Sequence, residues 1–211
     1  MLGANDGVLS TSSLILGVAS AAASHANIVL TGVAGLVAGA MSMAAGEYVS
    51  VSSQSDAQKA DLKKEEGELS ENPEAEHREL SAIYVKRGVD PELARTVAGQ
   101  LMAKDALAAH ARDELEITET TAARPVQAAL ASAASYAAGA AMPLLMVVLS
   151  PASVLPPAVA GASLVVLALL GAVGAKAGGA NIPKAMARVT IWGALAMAAT
   201  AAIGSLVGAA V

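Results

Sequence analysis

Long apolar runs separated by polar stretches dominate the pattern of hydrophobic and polar positions along the chain. Each run is close to the roughly 20 apolar residues that cross the hydrocarbon core of a bilayer. In lipid, a single segment of this length satisfies its own backbone hydrogen bonds only as a helix. The pattern therefore predicts an all-α, polytopic membrane protein with five transmembrane helices, in the runs 2–24, 28–51, 126–149, 158–174 and 189–211.

The long polar stretch, residues 52–125, separates the second and third apolar runs and holds most of the charge. It contains ten of the 13 basic residues and sixteen of the 18 acidic residues, a net charge of −6. Its first helix is expected to continue from the second apolar run to Glu71, since no Gly or Pro interrupts it before Gly67. We therefore predict two membrane helices in residues 1–51, an acidic helical insert in residues 52–125 and three membrane helices in residues 126–211.

Capping signals divide the rest of the insert into helices. Asn72-Pro73 and Asp90-Pro91 are typical helix starts, because Asn and Asp cap the first turn and Pro fits its first position. Gly88 should end the helix between them. Asp105 should cap a fourth helix that runs to about Ile117. The insert is thus expected to be an assembly of helical hairpins.

The composition narrows the function classes. The chain is 55% hydrophobic and 15% charged and has no Cys, whereas a soluble domain is about 45–50% apolar with about 25% charged residues. This composition argues against a disordered, nucleic-acid-binding or disulfide-stapled protein. Without Cys there is also no thiolate metal site and no thiol nucleophile.

The basic residues predict the orientation. Outside the insert, they occur only around the connection between the fourth and fifth runs, as Lys176, Lys184 and Arg188. The connections near His25 and at 150–157 have none. By the positive-inside rule, the N-terminus and the insert are cytoplasmic. Because no organellar targeting segment is recognised, the cell (inner) membrane is the expected location, with a vacuole-like organelle membrane as the alternative.

Two acidic residues lie within apolar runs, where a carboxylate costs about 2.5–3.5 kcal/mol at the bilayer centre and usually faces a pathway or a partner. Asp6 occurs near the start of the first run and Glu47 near the end of the second. Met43 shares a helix face with Glu47, four residues away. No Lys or Arg lies within the predicted spans to neutralise either acid, so a proton or a metal cation is the expected counter-charge. The alternative is that both acids reach the membrane interface.

Acidic residues in the insert are spaced so that they could converge. Glu65 and Glu68 are three residues apart on one predicted helix, and Glu76 and Glu79 are three apart on the next. Two antiparallel helices could therefore present four carboxylates to one point. Such a group favours a divalent cation, and oxygen ligands suit Mg, Ca, Mn or Fe(II).

The fourth predicted helix could add a nitrogen ligand. His110 lies three residues before Asp113 and four before Glu114, so their side chains share a helix face. A solvated acidic face is an alternative interpretation of the whole insert. A ferritin-like di-iron centre is excluded, because it needs two Glu-x-x-His motifs and only Glu74-x-x-His77 is present.

These motifs together resemble the vacuolar iron transporter family over essentially the whole chain. The resemblance is carried by the segments 4–7 (ANDG) and 42–51 (SMAAGEYVSV) and by the acidic helical insert. In that family, five-helix protomers form a homodimer that exchanges cytosolic Fe(II), and often Mn(II), for protons. The resemblance implies a transporter, not an enzyme, with no prosthetic group and with metal ions, protons and the lipid bilayer as its partners.

The resemblance also implies a set of metal ligands. The family pattern E-x-x-E, Pro, E-x-x-E, a later glutamate, and the pore-side Asp and Met fall here on Glu65, Glu68, Pro73, Glu76, Glu79, Glu114, Asp6 and Met43. The chain departs from the pattern in two places. Gly35 replaces a glutamate that plant members carry in the second span, while this chain places an acid at Glu47. His110-Ala111 replaces methionines before the last glutamate, which shifts that site toward nitrogen and oxygen donors.

The resemblance thus implies a proton-coupled divalent metal antiporter that exports Fe(II) from the cytosol, with Mn(II) as a second candidate ion. The insert would concentrate the metal, and Asp6, Met43 and Glu47 would relay metal and protons through the bundle. A membrane-anchored iron buffer or sensor without transport is the first alternative. A scaffold with a merely solvated acidic domain is the second. Transport is favoured because neither alternative needs charged groups inside membrane spans.

Overall fold

Helices form all the regular structure in the residues described by the computed structural model, which are 1–118 and 121–210. Residues 119–120 of the predicted insert and Val211 of the last predicted span lie outside them. A short 3-10 helix, Ala152–Val154, precedes α6. The helices are α1 (Leu2–Ser20), α2 (His25–Glu71), α3 (Pro73–Lys86), α4 (Pro91–Asp113), α5 (Pro125–Leu149), α6 (Leu155–Ala177) and α7 (Ile182–Gly208).

Four of the described helices are long and apolar enough to cross a membrane: α2, α5, α6 with its preceding turn, and α7. The all-helical membrane architecture predicted from the sequence is therefore confirmed at that level. The remaining predicted span is the first along the chain and corresponds to α1, which is 19 residues long. It falls outside this set because Asn5, Asp6 and the hydroxyl residues at 10–13 lower its mean hydropathy.

The chain divides into two compact units, and the first contains the apolar helices. It comprises Met1–Glu47 together with the residues from Val126 onward. Helix α1 packs extensively against α6 and α7. Its Ile15 and Leu16 join Val147, Leu155 and Met197 in the buried core. The more polar α1 thus contributes buried side chains to the core of this unit.

Glycines allow the helices of this unit to approach closely. A Cβ at Gly139 of α5 would overlap the backbone carbonyl of Ala4 on α1. On α2, a Cβ at Gly35 would lie 2.6 Å from Leu14 Cδ2. Small residues permit such contacts where lipid gives no hydrophobic drive for helix association. Gly35 therefore serves packing within the chain, against α1.

The second unit, Tyr48–Pro125, contains the polar part of α2 together with α3 and α4. Helices α3 and α4 pack against each other around Leu80, Ala98 and Ala109. As predicted, α2 continues without a break to Glu71. The insert is therefore helical over most of its described length.

Most predicted helix boundaries of this unit are confirmed. Helices α3 and α4 begin at the prolines that follow Asn72 and Asp90. The Asp90 carboxylate accepts hydrogen bonds from two backbone N–H groups of the first turn, whereas the Asn72 side chain makes no such bond. Gly88, with φ of +94°, follows the end of α3 in the left-handed conformation that glycine readily adopts.

The predicted boundary at Asp105 is a kink inside α4. Its backbone leaves the helical region, and its Oδ1 accepts a hydrogen bond of 2.9 Å from the Ala108 N–H. The prediction that this last helical segment runs to about Ile117 is wrong, because α4 ends at Asp113. Glu116 has φ of +54°, which turns the chain away from the helical path.

Candidate metal centre

Three carboxylates and one imidazole converge within the second unit. They belong to Glu65 of α2, Glu76 of α3, His110 of α4 and Glu114, the residue that follows α4. One potential ligand atom from each lies within 4.8 Å of all the others. His110 Nδ1 is 2.9 Å from Glu65 Oε1, 2.9 Å from Glu114 Oε2 and 3.9 Å from Glu76 Oε2.

Burial distinguishes this cluster from the other acids of the insert. The side chains of His110 and Glu65 are 0% and 3% exposed, and those of Glu76 and Glu114 are 10% and 27% exposed. Ionised carboxylates seldom occupy such positions without a cation or a proton to balance them. A divalent ion bound between them would supply that balance through oxygen and nitrogen donors.

Burial and neighbouring charges raise the pKa values of two carboxyl groups in the cluster. Burial raises the pKa of the Glu65 carboxyl, which lies in the polar part of α2, and the nearby Glu114 adds to the rise. Burial, followed by the charge of Glu79, likewise raises the pKa of Glu76. His110 acts in the opposite direction on both groups. The cluster therefore binds a proton more readily than isolated carboxylates do, and a metal ion would compete for the same oxygens.

Local sequence and helix packing together position these side chains. The contact between α3 and α4 around Leu80 holds Glu76 and His110 on facing surfaces. His110 and Glu114 are one turn apart, and a 2.9 Å hydrogen bond joins Nδ1 to Oε2. The site is thus assembled from segments that are distant along the chain.

The structure separates the members of the two predicted acid pairs. Glu65 and Glu76 are buried in the cluster, whereas Glu68 is partly exposed and Glu79 is exposed. Glu68 forms a 3.0 Å ion pair with Lys64 one turn before it. Residues three apart on a helix differ in direction by about 60°, so one can face inward while the other meets solvent.

Asp113 lies outside the cluster, although the spacing had suggested it as a further oxygen ligand. Burial raises the pKa of its carboxyl, but hydrogen bonds from Arg112, Tyr84 and Arg87 outweigh this effect and lower the pKa to about 2. Its oxygens are 2.7 Å from Arg87 Nη1 and 2.7 Å from the Tyr84 hydroxyl. Asp113 therefore ties the ends of α3 and α4 together beside the site.

The predicted intramembrane residues belong to the first unit. Asp6 and Glu47 are exposed, and Met43 is partly buried. The Ser10 hydroxyl donates a 2.6 Å hydrogen bond to the backbone carbonyl of Asp6. Within residues 1–118 and 121–210, no hydrogen bond or ion pair links the Asp6 and Glu47 side chains.

His110 is the member of the cluster that the predicted ligand set leaves out. Its spacing from Glu114 marks it as a candidate, but spacing alone does not reveal complete burial. The sequence signal for that burial is its position between Ala109 and Ala111, in an apolar segment of an otherwise charged helix. The other two histidines bond to backbone carbonyls, His25 to that of Val147 and His77 to that of Arg95.

Comparisons with known proteins agree with this architecture. The sequence profile of the VIT family matches residues 1–205. The chain is similar to a vacuolar iron transporter of Acanthamoeba castellanii, with 48% identity over 207 residues, which cover 98% of the chain and 76% of that relative. It is 35% identical to vacuolar iron transporter homolog 1 of Oryza sativa subsp. japonica, over 99% of the chain and 72% of the relative.

A third relative extends the similarity over the full length. Vacuolar iron transporter homolog 2.1 of Arabidopsis thaliana is 35% identical over 211 residues, which cover 100% of the chain and 80% of that relative. A match over nearly the whole chain, together with the apolar helices, establishes the family. The chain therefore belongs to the VIT family, whose members are transporters and not enzymes.

Proposed function

We propose that this protein is a proton-coupled antiporter that exports Fe(II), and also Mn(II), from the cytosol. The observation that carries the proposal is the convergence of Glu65, Glu76, Glu114 and His110 in a buried site of a VIT-family chain. The relatives named vacuolar iron transporters support iron as the ion. Oxygen-rich sites of this kind suit Fe(II) and Mn(II).

The first proposed step is capture of the ion by the insert. Glu65, Glu76 and Glu114 bind it in the buried cluster, where three carboxylates offset the cost of removing its water. Glu68 and Glu79 lie on the same two helices with more exposure, and they are proposed to bind the arriving ion before it enters. Their negative charge raises the local concentration of cations.

The second proposed step is passage through the apolar helices. Asp6, Met43 and Glu47 are proposed as the groups that relay metal and protons there. Exposed acids within a lipid-embedded surface are costly. A homodimer that covers Asp6 and Glu47 would remove this cost, and we propose that assembly for the protein. Protonation of the carboxylates on the acidic side would release the ion, because a neutral acid is a poor ligand.

The proposed topology has five spans, with α1 as the first. Burial of α1 against α6 and α7 supports this, because the hydroxyl groups of Thr11, Ser12 and Ser13 are then shielded from lipid. The absence of Lys and Arg from the turn before α2 and from residues 150–157 supports a cytosolic N-terminus and a cytosolic insert. We propose the cell (inner) membrane as the location, with a vacuole-like membrane as the second candidate.

Reconstituted protein tests this proposal. Liposomes that contain a metal-sensitive dye and a pH-sensitive dye should report metal entry coupled to proton movement for Fe(II) and Mn(II), and a weaker response for Ca(II). Protein-free liposomes are the control. An iron buffer or sensor would bind metal without any flux, and that result would refute transport. A scaffold would show no saturable metal binding.

A further inference from the structure

His110 occupies an unusual position for a histidine in a charged, solvent-facing domain. Its side chain is 0% exposed, and Nδ1 is 2.9 Å from one oxygen of Glu65 and 2.9 Å from one oxygen of Glu114. It is the only histidine of the three that points at carboxylates among the described residues, since His25 and His77 contact backbone carbonyls. Nδ1 is therefore in place to serve as a ligand.

The hydrogen bonding around this nitrogen is incomplete. Nδ1 forms a hydrogen bond with Glu114 Oε2, whereas Glu65 Oε1 has no hydrogen-bond partner among the described residues, although it lies equally near and is buried. An imidazole nitrogen carries either one proton or one lone pair, so it cannot satisfy two carboxylates at once. A buried carboxylate oxygen without a partner is costly. A cation bound between these atoms would satisfy all of them.

We propose that His110 binds the transported ion through Nδ1, and that this nitrogen makes the insert select first-row transition ions over Mg²⁺ and Ca²⁺. The inference rests on the metal capture proposed above and adds the donor that determines which ions are captured. Carboxylates alone bind Mg²⁺ and Ca²⁺ well, because both ions prefer oxygen ligands. Imidazole adds affinity for Fe²⁺, Co²⁺ and Zn²⁺, adds less for Mn²⁺, which binds most weakly of the first-row ions, and adds little for the two hard ions.

The geometry explains why a single nitrogen would have a large effect. His110 is buried at the centre of the cluster, within 4 Å of three carboxylates from three different segments. An ion that reaches the oxygens of both Glu65 and Glu114 must therefore contact or displace the imidazole. A hard ion would gain no donor from that contact and would lose a water ligand. The position of the His110 imidazole between the carboxylates thus determines which metal ions the site prefers.

Spectroscopy on the full-length protein in detergent tests the ligand directly. Mn²⁺ is added at one equivalent, and pulsed electron paramagnetic resonance measures nitrogen coupling to the bound ion. We expect a coupling typical of one imidazole in the wild type and in His77→Gln, a matched histidine variant outside the cluster. We expect its loss in His110→Gln. Bound Mn²⁺ without nitrogen coupling in the wild type, or coupling that survives in His110→Gln, would overturn the proposal.

Competition binding tests the selectivity. His110→Gln should weaken Co²⁺ binding by about tenfold or more and Mn²⁺ binding by a smaller factor, while Mg²⁺ and Ca²⁺ binding stays close to that of the wild type. His110→Glu, which gives an all-oxygen site, should narrow the gap between the two ion classes further. An equal loss for all four ions would contradict selection by nitrogen. Circular dichroism melts of each variant show whether the insert has kept its fold.

The outcomes separate this inference from the transport proposal. Nitrogen coupling in a protein that gives no metal flux in liposomes would refute transport and leave the role of His110 intact. Flux with no nitrogen coupling would refute the role of His110 and leave transport intact. Failure of the wild type to bind Mn²⁺ would overturn both the inference and the capture step.

Discussion

Individual carboxylates in the insert differ in environment even where they have the same spacing. Glu65 and Glu68 are three residues apart on α2, yet one is buried beside His110 and the other is paired with Lys64. The sequence could predict that acids cluster here, but the packing of α3 and α4 determines which of them faces inward. For the same reason, the complete burial of His110 could not be deduced from its spacing alone.

Substitution of single glutamates should distinguish the buried carboxylates from the exposed ones. Glu65→Gln should weaken Mn²⁺ binding by about tenfold or more, because it removes a ligand charge from a buried site. Glu79→Gln should cost less, because its side chain is exposed. Isothermal titration calorimetry on the detergent-solubilised protein measures both, with exposed Glu74→Gln as the control. Equal losses in Glu65→Gln and Glu79→Gln would show that the buried cluster is not the principal site.

Stabilisation of the fold by bound metal should depend on pH. The raised pKa values of Glu65 and Glu76 determine the direction of this dependence. Raised folded-state pKa values at Glu65 and Glu76 mean that their stabilising contribution is full below the ordinary value of 4.5 and is lost as pH rises through the raised values. Without metal, the charged cluster therefore destabilises the fold more near neutral pH than at pH 5. Mn²⁺ at about 100 times its Kd should add about 2.7 kcal/mol there, and less at pH 5.

Thermal melts at pH 5 and pH 7, with and without Mn²⁺, measure this effect. Glu65→Gln should reduce the difference between the two pH values, because one of the two shifted carboxyls is gone. A metal-induced shift in melting temperature that is the same at both pH values would contradict the assignment of these groups as ligands.

At the scale of helices, local signals predicted the start of α4 better than its end. Asp90 caps α4 because its carboxylate bonds to backbone N–H groups two and three residues later, which is a local interaction that the sequence displays. At the end of α4, Asp113 accepts hydrogen bonds from Tyr84 of α3 and from Arg87, the residue that follows α3. Such contacts are set by tertiary packing, and no sequence pattern within α4 predicts them.

Close packing of α1 on α5 gives a test at this scale. Gly139→Ala would place a Cβ against the carbonyl of Ala4 and force the two helices apart, which should cost about 1–3 kcal/mol. Gly161→Ala is the matched control, because nothing lies within 4 Å of its added Cβ. The control should be neutral or gain up to about 1 kcal/mol from helix propensity. Melting in detergent measures both, and equal stability would contradict the packing described.

At the scale of the whole molecule, the membrane class followed directly from apolar run length, but the number of spans did not. Four helices have the length and apolarity of spans, while α1 carries hydroxyl residues, Thr11, Ser12 and Ser13, that are buried in this unit. Hydropathy along the chain cannot report such shielding, because it depends on which helices surround the segment.

The chain has no Cys, so single introduced cysteines can test the topology without background. With an impermeant maleimide on intact cells, Ser24→Cys and Ser153→Cys should react from outside. Leu2→Cys, Lys104→Cys and Ala180→Cys should react only after permeabilisation. Labelling of Leu2→Cys and Ser24→Cys from the same side would show that α1 does not span the membrane.

In the proposed mechanism, the insert captures the ion and the intramembrane acids then carry it across. The concentration dependence of Mn²⁺ flux in proteoliposomes tests both steps in one measurement. Glu65→Gln should raise the half-saturating concentration and keep most of the maximal rate. Asp6→Asn and Glu47→Gln should abolish metal-dependent proton flux at every concentration. Normal transport by both Asp6→Asn and Glu47→Gln would contradict this mechanism.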